Sequence, residues 1–153
     1  MKTARRRARE FAVQGIYQWQ LNGLTASAIE AHLKENDSFR KADEALFRTL
    51  LFGVINYHSD LDGALARFYE RAPDEVSPVE RAILRMGALE LLRHPETPSP
   101  VIINEAIEIA KTFGGTDGHR FVNGVLDKLA AEVRAEEKQA QRRPRPAAMP
   151  ADE

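Results

Sequence analysis

The 153-residue sequence predicts an all-α fold, a compact bundle of about six to seven helices. Apolar residues recur every three or four positions over most of residues 3–133, which is the spacing of helices with one buried face. Residues that cap helices stand ahead of several of these segments. No segment shows the alternation of apolar and polar residues that is typical of a strand. The composition, with 43% apolar and 29% charged residues, is that of a globular domain.

The first half of the chain predicts three helices. The first covers residues 3–21, where small and apolar side chains form one buried stripe. A short second helix follows, and Thr25 or Ser27 can accept hydrogen bonds from its free backbone N–H groups. A long third helix begins near Arg40. Its apolar stripe restarts near residues 59–60, so a kinked helix and two abutting helices fit equally well.

The fourth helix has the clearest start signal in the chain. Ser77 can cap it, Pro78 suits its first position, and Glu80 completes a capping box. His94 and Pro95 end it. Its apolar residues predict a core face, and the opposite face, which carries charges, is predicted to be solvated: Glu80, Arg81, Arg85 and Glu90.

Residues 101–129 predict two further helices joined by a turn. Gly114 and Gly115 can end the first of them, and Thr116 or Asp117 can cap the second. The first turn of the second helix then combines backbone N–H groups, a cation and an aromatic ring. This combination indicates a nucleic-acid contact at three residues: His119, Arg120 and Phe121.

The N-terminus concentrates positive charge. Residues 1–9 carry five cations and no acid, whereas the whole chain has a net charge of −1, so the remaining chain is acidic. Cations at the start of a helix oppose its dipole, and arginines pair well with phosphates. A bound phosphate and a solvated helix end fit these residues equally well: Lys2, Arg5, Arg6, Arg7 and Arg9.

The sequence shows no arrangement of residues that is typical of a catalytic site. The chain has no cysteine, its four histidines lack metal-binding spacing, and no phosphate-binding loop or nucleophile motif is present. We therefore expect no enzyme activity, no metal and no cofactor. No apolar run approaches the ~20 residues of a membrane span, and the basic N-terminus lacks the apolar region of a secretory signal. We expect a cytoplasmic protein.

The stretch INEAIEIAKTFGGTDGHRFVNGVLDKL resembles the C-terminal signature of the NusB transcription antitermination family. Similarly, ARRRAREFAVQGIYQWQ and SPVERAILRMGALELL resemble the N-terminal helix and a middle helix of that family, so the resemblance covers about residues 3–133. It implies a NusB-like all-helical RNA-binding domain, built as two small sub-bundles, over residues 1–138. The Arg/Pro/Ala composition of residues 139–153 predicts a disordered tail.

The resemblance also implies a function. NusB-like proteins bind the single-stranded boxA element of nascent RNA together with the ribosomal protein NusE. They act within a complex that lets RNA polymerase resist termination, notably on ribosomal RNA operons. The residues implied to meet RNA are Lys2, Arg5, Arg6, Arg7, Arg9, Asp117, His119, Arg120 and Phe121. Those implied to meet NusE are Tyr17, Glu75 and Glu80.

Two other functions fit the sequence. One is a helical adaptor that binds only protein, and the other is an RNA-targeting domain related to that of certain rRNA methyltransferases, for which the chain lacks a catalytic cysteine. The sequence leaves open whether Phe121 stacks on RNA or packs between the two bundles. It also leaves open whether the free protein is a monomer or a homodimer.

Overall fold

The computed structural model describes residues 2–113 and 118–135. Within these residues it contains six α-helices, two short 3-10 turns and no strand, which confirms the all-α prediction. The 3-10 turns are Asp37–Lys41 and Pro73–Glu75. The helices are α1 (Ala4–Asn22), α2 (Ala26–Leu33), α3 (Glu44–Ala66), α4 (Pro78–Arg93), α5 (Ser99–Phe113) and α6 (Gly118–Val133).

Local side chains and backbone geometry set the ends of α1 and α2. The Oγ1 atom of Thr3 accepts a hydrogen bond of 3.0 Å from the backbone N–H of Arg6, which starts α1. Gly23 ends α1 at a φ of 67°, in the left-handed region that favours glycine. Thr25 then caps α2 through the N–H of Ala28, at 3.2 Å, so the first of the two predicted caps is the one used.

A kink interrupts α3 near the predicted restart of its apolar stripe, and both predicted alternatives, a kinked helix and two abutting helices, fit it. Tyr57 lies in the middle of α3 with non-helical dihedral angles, φ −113° and ψ 17°. The predicted start near Arg40 is a few residues early, because Asp37–Lys41 forms a separate 3-10 turn. The Oδ1 atom of Asp43 accepts from the N–H of Leu46 at 3.1 Å and caps α3.

The predicted capping box of α4 is confirmed. The Oγ atom of Ser77 accepts from the N–H of Glu80, and the Oε1 atom of Glu80 accepts from the N–H of Ser77, both at 3.1 Å. Pro78 occupies the first helical position, as predicted, and His94 caps the end. The reciprocal bonds satisfy N–H groups that the start of a helix would otherwise leave unpaired.

The centre of the molecule is α4, which contacts α1, α3, α5 and α6. Residues 82–91 are all buried. The prediction of a solvated charged face on α4 is therefore wrong, since Glu80, Arg85 and Glu90 are only 7%, 9% and 2% exposed. Leu92, by contrast, is 38% exposed.

Ion pairs to other helices make this burial possible. Arg9 of α1 donates to both carboxylate oxygens of Glu90, at 3.0 and 2.8 Å. Arg85 donates to both oxygens of Asp62 on α3, at 2.8 and 2.7 Å. Within the described residues, no buried side-chain polar atom lacks a hydrogen-bond partner. Each charge that α4 carries inward thus meets an opposite charge or a hydrogen-bond donor.

Arg134, one residue beyond α6, joins that helix to the end of α4. Its buried guanidinium donates to four backbone carbonyls, those of Glu90, Leu91, His94 and Thr97. A helix leaves its last carbonyl groups without intrahelical donors. Arg134 supplies such a donor to Leu91 and a second one to Glu90, whose carbonyl also accepts from the N–H of His94.

Several predictions fall outside the residues that the structure describes. These are the helix end at Gly114 and Gly115, the cap at Thr116 or Asp117, and the disorder of residues 139–153. Among the described helices, none combines the length and apolar character that crossing a membrane requires.

Glycine on α4 allows α6 to approach closely, and this generates a stability prediction. A Cβ at Gly87 would lie 2.8 Å from the Cδ1 atom of Leu126, a fully buried side chain. We expect Gly87→Ala to lower the free energy of unfolding by about 1–3 kcal/mol through overpacking. Urea denaturation would measure it.

Gly124→Ala is the matched control. Gly124 is exposed within α6, and a Cβ there meets no atom within 4 Å. Because alanine favours a helix over glycine, we expect this variant to gain about 0.5–1 kcal/mol. Equal effects of the two variants would contradict the close approach of α4 and α6.

A second prediction concerns the buried pair of Arg9 and Glu90. Arg9→Met leaves the Glu90 carboxylate buried without its cation, so we expect a loss of about 3–5 kcal/mol of unfolding free energy. The double variant Arg9→Met/Glu90→Leu should recover most of it, because no lone charge remains. Arg7→Met is the control, with a change of about 0.5 kcal/mol or less. Thermal and urea melts would reject the pairing if Arg9→Met were as mild as Arg7→Met.

Candidate nucleic-acid interface

Helical spacing distributes the N-terminal arginines over different sides of α1. Arg6 and Arg9 are three positions apart, so they share a face, and that face packs toward α4 and α5. Arg7, two positions before Arg9, lies on a different side and is partly exposed. Arg5, four positions before Arg9, lies near the same face at the start of the helix, where its side chain is 55% exposed and lies beside Asp43. The basic run is thus not one uniform surface. Arg6 and Arg9 form an inward pair, and Arg5 and Arg7 are more exposed on two different sides.

Arg9 lies in the interior, unlike the RNA-contacting position that was predicted for it. Its side chain is 3% exposed, and its guanidinium faces Glu90. The physical reason is the charge of Glu90, which needs a cation wherever α4 is covered. Arg9 holds α1 on α4 in this structure.

Arg6, three residues before Arg9, is more exposed and pairs with α5. Its Nε and Nη2 atoms donate to the two carboxylate oxygens of Glu105, at 3.0 and 2.6 Å. The side chains are 29% and 16% exposed. The hydrogen bond from Arg6 lowers the pKa of Glu105 despite its partial burial, and the same bond raises the pKa of Arg6. Both groups are therefore charged at neutral pH.

The remaining N-terminal cations are more loosely engaged. Lys2 donates to Glu10 at 2.9 Å, and Arg5 lies 3.7 Å from a carboxylate oxygen of Asp43. Both cations are about half exposed. Arg7 is partly exposed, and in residues 2–113 and 118–135 its guanidinium has no ion-pair partner. The pair of Arg5 and Asp43 is solvent-exposed and therefore weak, so Arg5 and Arg7 remain available to an anion. Lys2 pairs with a carboxylate whose side chain is only 11% exposed, so this cation is held more firmly.

The start of α6 carries the residues of the second predicted RNA contact. Asp117, which belongs to the same prediction, lies outside the described residues. Arg120 is exposed and His119 is partly exposed. Phe121 is partly buried: its ring centroid lies 5.8 Å from that of Tyr69, and the guanidinium carbon of Arg71 lies 3.9 Å from the Phe121 centroid.

Arg71 links this cluster to the start of α4. Its Nη1 atom donates to the Oε1 atom of Glu80 at 3.1 Å. Gly118, the first residue of α6, is buried beside the same carboxylate, and a Cβ there would lie 3.2 Å from the Oε2 atom. Phe121 and Glu80, which were predicted to meet different partners, are therefore joined through one arginine.

The three predicted partner residues differ in exposure. Tyr17 lines a groove of about 320 Å³ with apolar walls that include Val79 and Phe113. Glu75 is exposed, and its Oε1 atom accepts from the N–H of Ala72 at 3.2 Å. Glu80 is buried, and its carboxylate is occupied by Ser77 and Arg71.

Sequence reasoning missed two acids that organise this site, Glu90 and Glu105. Glu90 was assigned to a solvated helix face, and Glu105 was given no role. A signal existed for Glu90, because residues 82–92 are apolar almost without interruption and such a helix is buried on all sides. For Glu105 the signal is weaker: it stands next to Ala106 and three positions after Ile102, at the edge of the buried stripe of α5.

The model of the NusB family matches residues 6–131 of the chain. The chain is 70% identical over 146 residues to the transcription antitermination protein NusB of Chromobacterium violaceum, covering 95% of this chain and 98% of that protein.

Two solved structures have the same fold. One is T. maritima NusB, with a TM-score of 0.75 and 33% identity, covering 92% of this chain and 99% of that one. The other contains the antitermination factors NusB and NusE in complex with double-stranded RNA, with a TM-score of 0.74, 21% identity, and coverage of 86% and 99%. The family model and the C. violaceum relative together establish that the chain belongs to the NusB family.

Proposed function

We propose that this chain is a transcription antitermination factor that binds RNA together with NusE and catalyses no reaction. The observation that carries the proposal is the 70% identity, over 95% of the chain, to the C. violaceum antitermination protein. The proposal extends to the boxA element of nascent ribosomal RNA transcripts as the target, to the RNA polymerase antitermination complex as the setting, and to the cytoplasm as the location.

The first part of the proposed RNA surface is the start of α1. Arg5 and Arg7 offer guanidinium groups on two sides of its first turns, Arg6 stands between them, and Lys2 adds a cation just before the helix. Cations of this kind follow a single strand along its phosphates. Arg9 is left out, because its 3% exposure and its pair with Glu90 favour a structural role.

The second part is the start of α6. Arg120 and His119 supply polar contacts, Phe121 supplies the part of its ring that Arg71 leaves uncovered, and Asp117 is included on the resemblance alone. Arg6 pairs with Glu105, and α5 ends eight residues later at Phe113, a distance of roughly 12 Å at helical rise. One RNA strand of several nucleotides can span both parts.

The proposed NusE surface lies at the Pro73–Glu75 turn and the groove beside Tyr17. Asp74 and Glu75 are exposed acids on this turn, and they suit a basic ribosomal protein. The apolar walls of the groove suit an apolar side chain of the partner. Glu80 contributes indirectly, because its carboxylate shapes this region through Ser77 and Arg71.

Fluorescence anisotropy of a labelled single-stranded boxA RNA and of its scrambled version tests the function. We expect tighter binding to boxA, and a larger preference when NusE is present. Equal or absent binding to both RNAs, with and without NusE, would support the adaptor that binds only protein.

In the same assay, Arg6→Ala/Arg7→Ala should weaken RNA binding and make the slope of log K against log salt shallower by up to about 1.4, the share of two phosphate contacts on a single strand. The control Arg67→Ala/Lys128→Ala removes two exposed cations that pair with Glu132 and Glu70. It should leave the slope nearly unchanged. The arginine surface is rejected if both variants change the slope equally.

Glu75→Lys should weaken association with NusE by about three- to tenfold, because it places a cation against a basic partner. RNA binding by the chain alone should stay unchanged. Glu35→Lys makes the same charge change at an exposed residue that follows α2. Titration calorimetry that gives equal NusE affinities for the two variants would remove Glu75 from the interface.

A further inference from the structure

We propose that Glu105 competes with RNA for Arg6. The carboxylate of Glu105 occupies the guanidinium of Arg6 in the free protein, and an RNA phosphate must displace this carboxylate to engage Arg6 fully. The inference rests on the proposed RNA-binding function. It adds a residue that sets the affinity of the surface without itself contacting RNA.

The geometry of the pair places Glu105 where a phosphate would bind. A guanidinium recognises a phosphate best through two parallel N–H donors. In this structure Nε and Nη2 of Arg6 already donate to the two oxygens of Glu105, at 3.0 and 2.6 Å. The Nη1 and Nη2 hydrogens that remain form a second edge, but a phosphate bound there shares the guanidinium with the negative charge of Glu105. A phosphate that binds through Nε and Nη2 takes the place of Glu105.

The pair is accessible enough for this exchange. The side chain of Arg6 is 29% exposed and that of Glu105 is 16% exposed, so an anion can approach from solvent. The pair of Arg9 and Glu90 behind it is only 3% exposed on each side. Exchange is therefore expected at Arg6 and not at Arg9.

Arg9 also lowers the free energy that is needed to displace Glu105 from Arg6. The Nη1 atom of Arg9 lies 3.9 Å from the Oε1 atom of Glu105, while its other donors hold Glu90. When Arg6 turns to a phosphate, Glu105 keeps a cation beside it. A carboxylate left without any cation in a partly buried position would oppose the exchange much more strongly.

Glu105 stays anionic under ordinary conditions, so the competition is permanent. The hydrogen bond from Arg6 lowers the pKa of Glu105, and this outweighs the opposing effect of its partial burial. The competition acts on a phosphate contact, which carries no sequence information. Glu105 should therefore lower the affinity for boxA and for scrambled RNA by the same factor.

The test is Glu105→Gln, which keeps the size of the side chain and removes its charge. Anisotropy should show about three- to tenfold tighter binding to both RNAs. The slope of log K against log salt should change by less than about 0.7, the share of one phosphate contact on a single strand, because Arg6 reaches a phosphate in both proteins. Thermal melts of each variant establish that it is folded at the assay temperature.

Two controls assign the effect to Arg6. Glu108→Gln removes the same charge from α5 at a residue that hydrogen-bonds Lys111 instead, so it measures the general field effect on RNA. In an Arg6→Ala background, Glu105→Gln should have no larger effect than Glu108→Gln has there, because the contested cation is gone.

The outcomes separate the two proposals. If the unmodified chain binds neither RNA, with or without NusE, the proposed function fails and this inference fails with it. If the unmodified chain binds RNA but Glu105→Gln binds equally or more weakly, only the competition is overturned, and weaker binding would make Glu105 a positioning residue for Arg6. Tighter binding that persists without Arg6 would also overturn it.

Discussion

The buried ion pair between Arg9 and Glu90 fixes how α1 lies on α4, and the rest of the structure depends on that placement. Two charges that have left water must meet each other with good geometry. A shift of α1 by one residue would leave both without a partner. The pair joins residues 81 positions apart, so it fixes the position of the first helix along the central one.

From this placement follows the orientation of the whole basic segment. Once Arg9 faces inward, Arg6 must lie on the same side nearly one turn earlier, beside α5, while Arg7 must lie on a different side. Arg5 is exposed because it stands at the start of the helix. The N-terminal arginines thus range from buried, at Arg9, to exposed, at Arg5, within two turns of one helix. A structural requirement at Arg9 determines which arginines can serve binding.

Features decided by neighbouring residues could be predicted from the sequence. The capping box of Ser77 and Glu80 is one, and the cap of α2 by Thr25 is another, since each depends on a few adjacent groups. The burial of Glu80 and Arg85 could not be predicted in this way, and for Glu90 the apolar residues around it gave a signal but not its partner. Each is ordinarily hydrated, and its partner stands on a helix or segment that linear spacing does not locate. For the same reason, the role of Arg9 and the contact of Arg71 with Phe121 emerged only from the fold.

The complete enclosure of the middle of α4 has an evolutionary consequence. Since residues 82–91 have no free face, changes there alter packing and are limited to side chains of similar volume. Arg5 at the start of α1 and the acids of the Pro73–Glu75 turn are exposed, so their charges can change one at a time while the fold persists. The binding partners and their affinities can therefore change during evolution while the packing of the helices is kept.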